Sequence, residues 1–533
     1  MPQTSVAPDP PEVGVAEMPE SGPLGVWLDR LGLVAVLAVG VALRFVARSS
    51  LWLDEALTVD ISRLPLGRIG PWLRHDGHPP LYYWMLHGWI DVFGSTNTSV
   101  RALSGMFGVL LLPLVWLAAK RLGGRRVAWI AVAIAAVCPF AVRYSSEARM
   151  YSLVMALVLA LWLVGTDALE RPTWWRRVAV ALLSAALLWS HYWAMWFLAA
   201  AGVLLVIHAW SMHRQQRTGE RNATLGVIGS IVAGGVLFLP WVSSLLYQSA
   251  HTGTPWAKPS VPTEVVAVSV ADIGGGAKGD NLVLGWSLVI LVLLGLFGAA
   301  VDRYRVELDF RSRQQGRVPA LLIVLTLAVA MAAMWATGSG FASRYNAVWV
   351  PLFLLLAALG VSRIGAPGIR RGVLAVVLLL GVVGTVRVAV THTRTEAGVA
   401  AAGIQATGHP GDLVLTCPDQ LGPSLRRVLP SSFRMATYPH LASPALVDWV
   451  DYKKRVDEAS PATFAKQAVA LAGDHAIFLA WTSTYVTHKG ICEDVVTELS
   501  ALRPGAHQVV ADDGDYFEHE AVMFYPAPAA SPG

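Results

Sequence analysis

Eleven predominantly apolar runs, near 26–47, 100–119, 127–143, 150–166, 178–192, 193–210, 224–246, 282–301, 318–336, 346–361 and 372–390, fill most of the first 390 residues. Runs of this length cross roughly 30 Å of hydrocarbon as helices, so the pattern predicts a polytopic helical bundle with eleven crossings. Between alternate runs lie KRLGGRR (120–126), ERPTWWRR (170–177), HRQQRTGER (213–221), RYRVELDFRSRQQGR (303–317) and SRIGAPGIRR (362–371). Basic loops stay on the cytoplasmic side, which puts the N-terminus inside and the intervening loops outside. The boundary at 191–193 rests on SHYW, which interrupts a nearly continuous apolar stretch. HPPLYYWMLHGWIDVF (78–93) would reverse the charge pattern if it crossed. It is therefore expected as a juxtamembrane or re-entrant helix opened by Pro79 and Pro80, inside a long first outer loop from about Arg48 to Ser99.

Residues 1–23 are rich in Pro and acidic residues and lack an apolar segment, as a disordered cytoplasmic tail would. After Val390 the chain turns polar and mixed in pattern. GDLVLTC (411–417), HAIFLAW (475–481), HQVVAD (507–512) and AVMFYP (521–526) read as strands. LGPSLRRVL (421–429), SPALVDWVDYKKRVDEA (443–459) and CEDVVTELSAL (492–502) read as helices between them. That alternation predicts an α/β domain over 391–533, extracytoplasmic if the eleven crossings hold. Cys417 and Cys492 fall within it and either form a bridge in an oxidising compartment or stay reduced and buried.

Composition agrees with the bundle. With 55% hydrophobic and 14% charged residues, the chain is not a disordered or fibrous one, and its 21 Trp suit repeated membrane–water boundaries. The net charge of +5 is small and dispersed, which argues against a nucleic-acid partner.

The expected outer loops hold the candidate chemistry. Asp54 and Glu55 follow LWL just beyond the first span. One can take a proton from an acceptor hydroxyl while the other orients the site or binds a cation; alternatively they are a solvated pair starting the helix EALTVDISRL. The segment VRYSSEARMYSL (142–153) clusters Arg143, Tyr144, Glu147, Arg149 and Tyr151. Two arginines there can hold a phosphate by forked donation beside aromatics that line a sugar or lipid track, or can form a structural network with Glu147. Arg344 and Tyr345 sit at another outer boundary, and Lys258 and Lys278 in the loop 247–281. All three cations suit a phosphate-linked substrate, with snorkelling the alternative for Arg344 and simple solvation for the lysines. His191 is either a substrate contact or a hydrogen-bonded interfacial histidine. Asp54, Glu55, Asp76 and His78 offer ligands for Mg²⁺, Ca²⁺ or Mn²⁺, but no HExxH or paired CxxC spacing fixes a metal. No Walker A loop or GxGxxG fingerprint opens a helix, so an activated sugar has to arrive already charged.

LWLDEALT, HPPLYYW leading into FGSTNTSVRALS, YSSEARMYSL and SRYNAVWVPLFLLLAALG occur in an order and spacing that resemble the polyprenyl-phosphate-dependent glycosyltransferases of the GT-C superfamily, in the protein-mannosyltransferase and aminoarabinose-transferase-like group. The resemblance covers roughly 25–365. It implies an inverting transferase that takes a sugar from a polyprenyl-phosphate donor in the outer leaflet of the plasma membrane and passes it to a hydroxyl of an exported acceptor. It assigns the base to Asp54, with Glu55 auxiliary, and surrounds the donor phosphate with Arg143, Arg149, Tyr151, Arg344 and Tyr345. His78 stands where the aminoarabinose transferases carry Lys, so their acceptor does not carry over. The C-terminal domain differs from the β-trefoil of eukaryotic protein mannosyltransferases, so a protein acceptor competes with an envelope glycan or glycolipid. High Ala, Val, Leu, Gly and Arg usage suggests a GC-rich bacterium such as an actinobacterium, which makes mannose the first choice of sugar and arabinofuranose the second. A transporter or flippase of lipid-linked saccharide, and a non-catalytic scaffold, are the competing classes. A transporter would place ionisable residues near mid-membrane, where these runs are almost free of charge.

Overall fold

The computed structural model describes residues 23–46, 49–253, 260–276, 282–391 and 393–528. Lys258, Lys278 and the expected tail through residue 22 lie outside the described residues. After α1 (Pro23–Leu43) come three helices of the first loop, α2 (Leu53–Ser62), α3 (Leu66–Leu73) and α4 (Leu81–Phe93). The bundle continues with α5 (Asn97–Val137), α6 (Pro139–Arg143), α7 (Tyr151–Glu170), α8 (Trp174–Ser190), α9 (Ala194–Arg214) and α10 (Thr218–His251). It closes with α11 (Pro262–Gly274), α12 (Leu282–Phe297), α13 (Gln314–Thr337), α14 (Val350–Ser362) and α15 (Pro367–Val386). The chain is a multi-pass membrane protein.

Every apolar run carries a helix, but not always along its whole length. Two runs share α5, which bends at Gly123 and Gly124 within the KRLGGRR loop. Gly124 has φ +81°, a left-handed value that a side chain would strain. The second limb stops at Val137, because Cys138 is extended and Pro139 opens the short α6. The run 282–301 also ends early, at Phe297, where β1 (Gly298–Ala300) turns into an antiparallel hairpin with β2 (Val306–Leu308). By length and composition α5, α7, α9, α10, α13 and the segment Pro367–Val390 are long and apolar enough to cross a membrane, and Arg30–Leu43, α12 and α14 are shorter apolar helices.

Small residues let α12 and α14 meet at backbone distance. A Cβ on Gly295 would fall 2.6 Å from the Leu356 carbonyl oxygen and 2.9 Å from the Gly360 nitrogen. In lipid, association depends on such close packing rather than on the hydrophobic effect. Gly295→Val is expected to separate these helices and lower the yield of folded protein in detergent; size-exclusion chromatography with a melting curve checks it.

Beyond the bundle, α16 (Ala397–Thr407), α17 (Gly422–Val428), α18 (Tyr452–Glu458), α19 (Pro461–Ala472) and α20 (Ile491–Leu502) enclose a five-stranded sheet. Its strands are β3 (Leu413–Cys417), β4 (Arg434–Thr437), β5 (Ile477–Trp481), β6 (His507–Val510) and β7 (Ala521–Tyr525), in the order β4-β3-β5-β7-β6. β4 and β5 flank β3 in parallel, with Leu413 opposite both Arg434 and Ile477, while β7 and β6 run antiparallel. Alternation along β3 divides the core. Leu413 and Leu415 face Phe464, Ala468, Val495 and Leu499 of α19 and α20. Val414 faces Ala400, Ile404 and Leu425 of α16 and α17. A disulfide joins Cys417 to Cys492.

The four expected strands are present, and β4, α16 and α19 are additional. The helix expected over 443–459 forms only from Tyr452. Its first half is held instead by the first loop and the end of α10: the Trp449 amide donates to the His75 carbonyl at 2.9 Å, and the Asp451 amide to the His251 carbonyl of α10 at 2.8 Å. Asp448 and His75 also pair at 3.0 Å.

Candidate active site

A cavity of about 710 Å³ lies where the first loop, α6, α11, the turn before α14 and the C-terminal domain converge. Asp54, Glu147, Asp272, Arg143, Arg344 and Arg394 line it, and Tyr485 and Phe517 close it from the domain side. Asp54 occupies the first turn of α2, one residue after Leu53. Its Oδ2 lies 3.2 Å from Arg344 Nη1 yet makes no aligned hydrogen bond in the described residues. Burial alone would raise this carboxyl. The charges of Arg344, Arg149 and Arg394 together outweigh burial and hold it below the usual carboxylate range. Asp54 is therefore ionised at neutral pH, with Oδ2 against Arg344 in the cavity wall.

Glu55 has a different setting. It is fully buried; Arg101 Nε and Nη2 donate to its two oxygens at 2.7 and 2.6 Å, and the Ala148 amide adds a third bond at 2.9 Å. The pair ties α2 to α5 and to the segment after α6. Of the two carboxylates, Glu55 has both oxygens engaged, whereas Asp54 keeps one without an aligned hydrogen bond.

The arginines are spread around the cavity, each in reach of a carboxylate. Arg143 Nη1 donates to Asp272 Oδ1 at 2.8 Å, Tyr144 OH donates to Asp272 Oδ2 at 2.9 Å, and Glu147 Oε1 lies 3.4 Å from Arg143 Nε. Arg394 also pairs with Glu147 and stacks over Trp52, 4.0 Å from the ring centroid. A guanidinium has five donors, so one engaged with a single carboxylate keeps others for a phosphate.

Behind this wall stands a second layer. Arg149 Nη1 donates to Thr58 Oγ1 at 2.7 Å and to the Asp54 carbonyl at 3.3 Å. Its Nη2 meets His78 Nε2 at 2.9 Å, and His78 Nδ1 meets Asp76 Oδ2 at 2.8 Å. Because a guanidinium only donates, Nε2 accepts and the His78 proton sits on Nδ1. Tyr151, His191 and Tyr345 stack in sequence, with centroids 5.7 and 5.4 Å apart, and His191 Nδ1 accepts from the Trp193 amide. His191 thus sits as a spacer between the two tyrosine rings.

The four ligands suggested for a divalent cation do not gather. Glu55 is taken by Arg101, Asp76 by His78 and Tyr83, and Asp54 faces a guanidinium. Among the described residues no group of three or more His, Cys, Asp or Glu side chains is placed to hold a metal ion.

Several contributors lay beyond sequence reasoning. Arg394 and Asp272 had a partial signal, as charges at the end of the last span and in an otherwise apolar helix. Phe517, Tyr485 and Glu518 had none. Glu518 Oε2 accepts from the Leu53 amide at 2.7 Å, so the C-terminal domain caps α2 directly before Asp54, where the N-cap residue Trp52 offers no cap of its own. Burial raises the Glu518 carboxyl to about 7, against the opposing bonds from Ser424 and the Leu53 amide. The folded protein therefore holds a proton on Glu518 that the unfolded chain releases above about 4.5. The stability this adds is complete below that value and is lost as pH rises through about 7. We expect the melting temperature to fall between about pH 5 and 8 and Glu518→Gln to remove that component.

A sequence profile described as dolichyl-phosphate-mannose-protein mannosyltransferase matches residues 77–241. No curated protein sequence matches the chain significantly. Among solved structures, ArnT from Cupriavidus metallidurans bound to undecaprenyl phosphate superposes with a TM-score of 0.57 at 13% identity, covering 96% of this chain and 100% of that one. The arabinofuranosyltransferase AftD from Mycobacteria gives 0.48 at 16% identity over 94% of this chain and 42% of that one. The Archaeoglobus fulgidus oligosaccharyltransferase gives 0.46 at 11% identity over 84% and 67%. The full-length superposition on ArnT shows that this chain has the GT-C fold, a helical membrane bundle joined to a smaller C-terminal domain.

Proposed function

We propose that the protein is an inverting glycosyltransferase that moves a sugar, mannose before arabinofuranose, from a polyprenyl-phosphate donor to a hydroxyl of a cell-envelope glycan, lipid or protein. The observation that carries this reading is Asp54: an ionised carboxylate in a cavity wall, with Oδ2 free of aligned hydrogen bonds and three arginines around the same space. Asp54 Oδ2 takes the acceptor hydroxyl proton as that oxygen bonds to the anomeric carbon. The bond from that carbon to the phosphate oxygen breaks, and its electron pair leaves with polyprenyl phosphate. Arg143, Arg344 and Arg394 stabilise the charge that develops there, inside a cavity where water competes weakly. One displacement inverts the anomeric centre. The matched profile bears the name of an enzyme class using dolichyl-phosphate-mannose, and ArnT was solved with undecaprenyl phosphate, both consistent with this donor chemistry.

The basic loops join the helix ends remote from Asp54. Our reading puts the cavity and the C-terminal domain on the extracytoplasmic face of the plasma membrane, because KRLGGRR joins the two limbs of α5 at the end away from Arg101, the partner of Glu55, and basic loops stay inside. Incubating the purified protein with crude envelope glycan and, in parallel, polyprenyl-phosphate mannose and polyprenyl-phosphate arabinose tests the sugar. Release of polyprenyl phosphate from mannose alone is expected; release from arabinose alone would reverse the order of the two sugars.

A further inference from the structure

At the far end of α2 from Asp54, Arg63, Arg426 and Arg427 line a second cavity of about 480 Å³, with Leu429, Phe433 and Pro444 as an apolar floor. Arg63 closes α2 and the other two come from α17. At 1.5 Å per residue the helix separates this cavity from Asp54 by about 14 Å.

Charge here is unbalanced. Among the described residues Asp60 is the one carboxylate that pairs with these arginines: its Oδ2 lies 3.1 Å from Arg426 Nη1 and its Oδ1 4.0 Å from Arg427 Nη1. The Arg63 side chain is exposed and makes no hydrogen bond or salt bridge with any described residue. Arg427 donates through Nη2 to the Ser95 carbonyl at 2.8 Å, while its Nε is buried without a partner. Three guanidiniums thus face one carboxylate, and burial together with Arg63 and Arg426 pushes the Arg427 pKa down. An anion between them would relieve that repulsion.

The cavity's height supplies the second constraint. Ser95 lies just before α5, the first helix of the bundle after the loop, and α4 ends beside it with Val92 and Phe93 exposed by 72% and 58%. Apolar surface gives way to arginine at this level, as at the boundary between acyl chains and headgroups.

We infer that Arg63, Arg426 and Arg427 form a binding site for a phosphate-class anion, distinct from the cavity of Asp54. Forked donors suit phosphate oxygens, and the apolar floor suits the body that carries them. Two sources share this chemistry, the headgroup of an anionic lipid and a soluble phosphorylated compound. The site does not depend on the assignment of Asp54.

The test uses the full-length protein in phosphatidylcholine nanodiscs titrated with inorganic pyrophosphate, and in nanodiscs containing phosphatidylglycerol, with retained lipid read by native mass spectrometry. Arg63→Gln is expected to weaken binding about tenfold, as loss of one charge-assisted hydrogen bond does, and Asp54→Asn to leave it unaltered. Arg63 has no partner to strand, so this variant folds even if Arg426→Gln, which strands Asp60, does not. Pyrophosphate binding that weakens in Arg63→Gln identifies a soluble source. Phosphatidylglycerol retention that falls in the variant without pyrophosphate binding identifies a headgroup. Binding of neither probe, or binding indifferent to both Arg63→Gln and Arg427→Gln, overturns the inference.

Discussion

Asp54→Asn is expected to lower sugar transfer by about 10²- to 10⁴-fold, the range over which general bases act, while fold and donor binding persist. Asn keeps the shape and an oxygen near Arg344 but cannot hold the acceptor's proton. Glu55 cannot take over, because both its oxygens are occupied by Arg101. The pH profile should bear the same mark. The cations around Asp54 hold its carboxyl below the ordinary range, so on acidification activity falls only below that range. Arg344→Gln removes the largest of those opposing cations and moves the acid limb to higher pH. Initial rates across pH for the three proteins check both statements, and an acid limb unmoved by Arg344→Gln would separate Asp54 from the rate.

Glu55→Ala should act on stability instead. It strands Arg101, only 5% exposed, as an uncompensated buried charge, which costs about 3–5 kcal/mol. For a membrane protein this appears as lost yield and a lower melting temperature in detergent. Replacing Glu55 and Arg101 together with methionines should recover much of the loss, because a buried ion pair exchanged for apolar side chains is often neutral. A Glu55→Ala protein that melts like wild type yet fails to transfer sugar would return Glu55 to the chemistry. Adjacent carboxylates on one helical turn point in different directions, and that separates their roles.

How much could be read from the chain depended on the range of each interaction. The bundle was legible because lipid demands a long apolar run for each crossing, and the acidic loop because Asp54 and its helix are contiguous. The cluster Arg143 to Tyr151 was legible for the same reason. Arg394, Phe517 and Glu518 reach Asp54 from more than 300 residues away, and nothing in TRTEA or DYFEHE reports that neighbour. β4 was missed because RMAT is a four-residue edge strand with weak β preference. α19 did carry a signal, since Ser460 caps it through the Thr463 amide and Pro461 opens its first turn. The first half of the helix expected over 443–459 failed where the Trp449 amide bonds to the first loop and the Asp451 amide to the end of α10, a tertiary effect that propensity does not encode.

The most direct measurement is transfer of radiolabelled sugar from polyprenyl-phosphate mannose, with polyprenyl-phosphate arabinose alongside, by wild type and Asp54→Asn protein supplied with crude envelope glycan. The account predicts label in the glycan with wild type, almost none with the variant, and equal donor binding by both. No transfer from either donor beside an active control enzyme, or equal transfer by the two proteins, would contradict it.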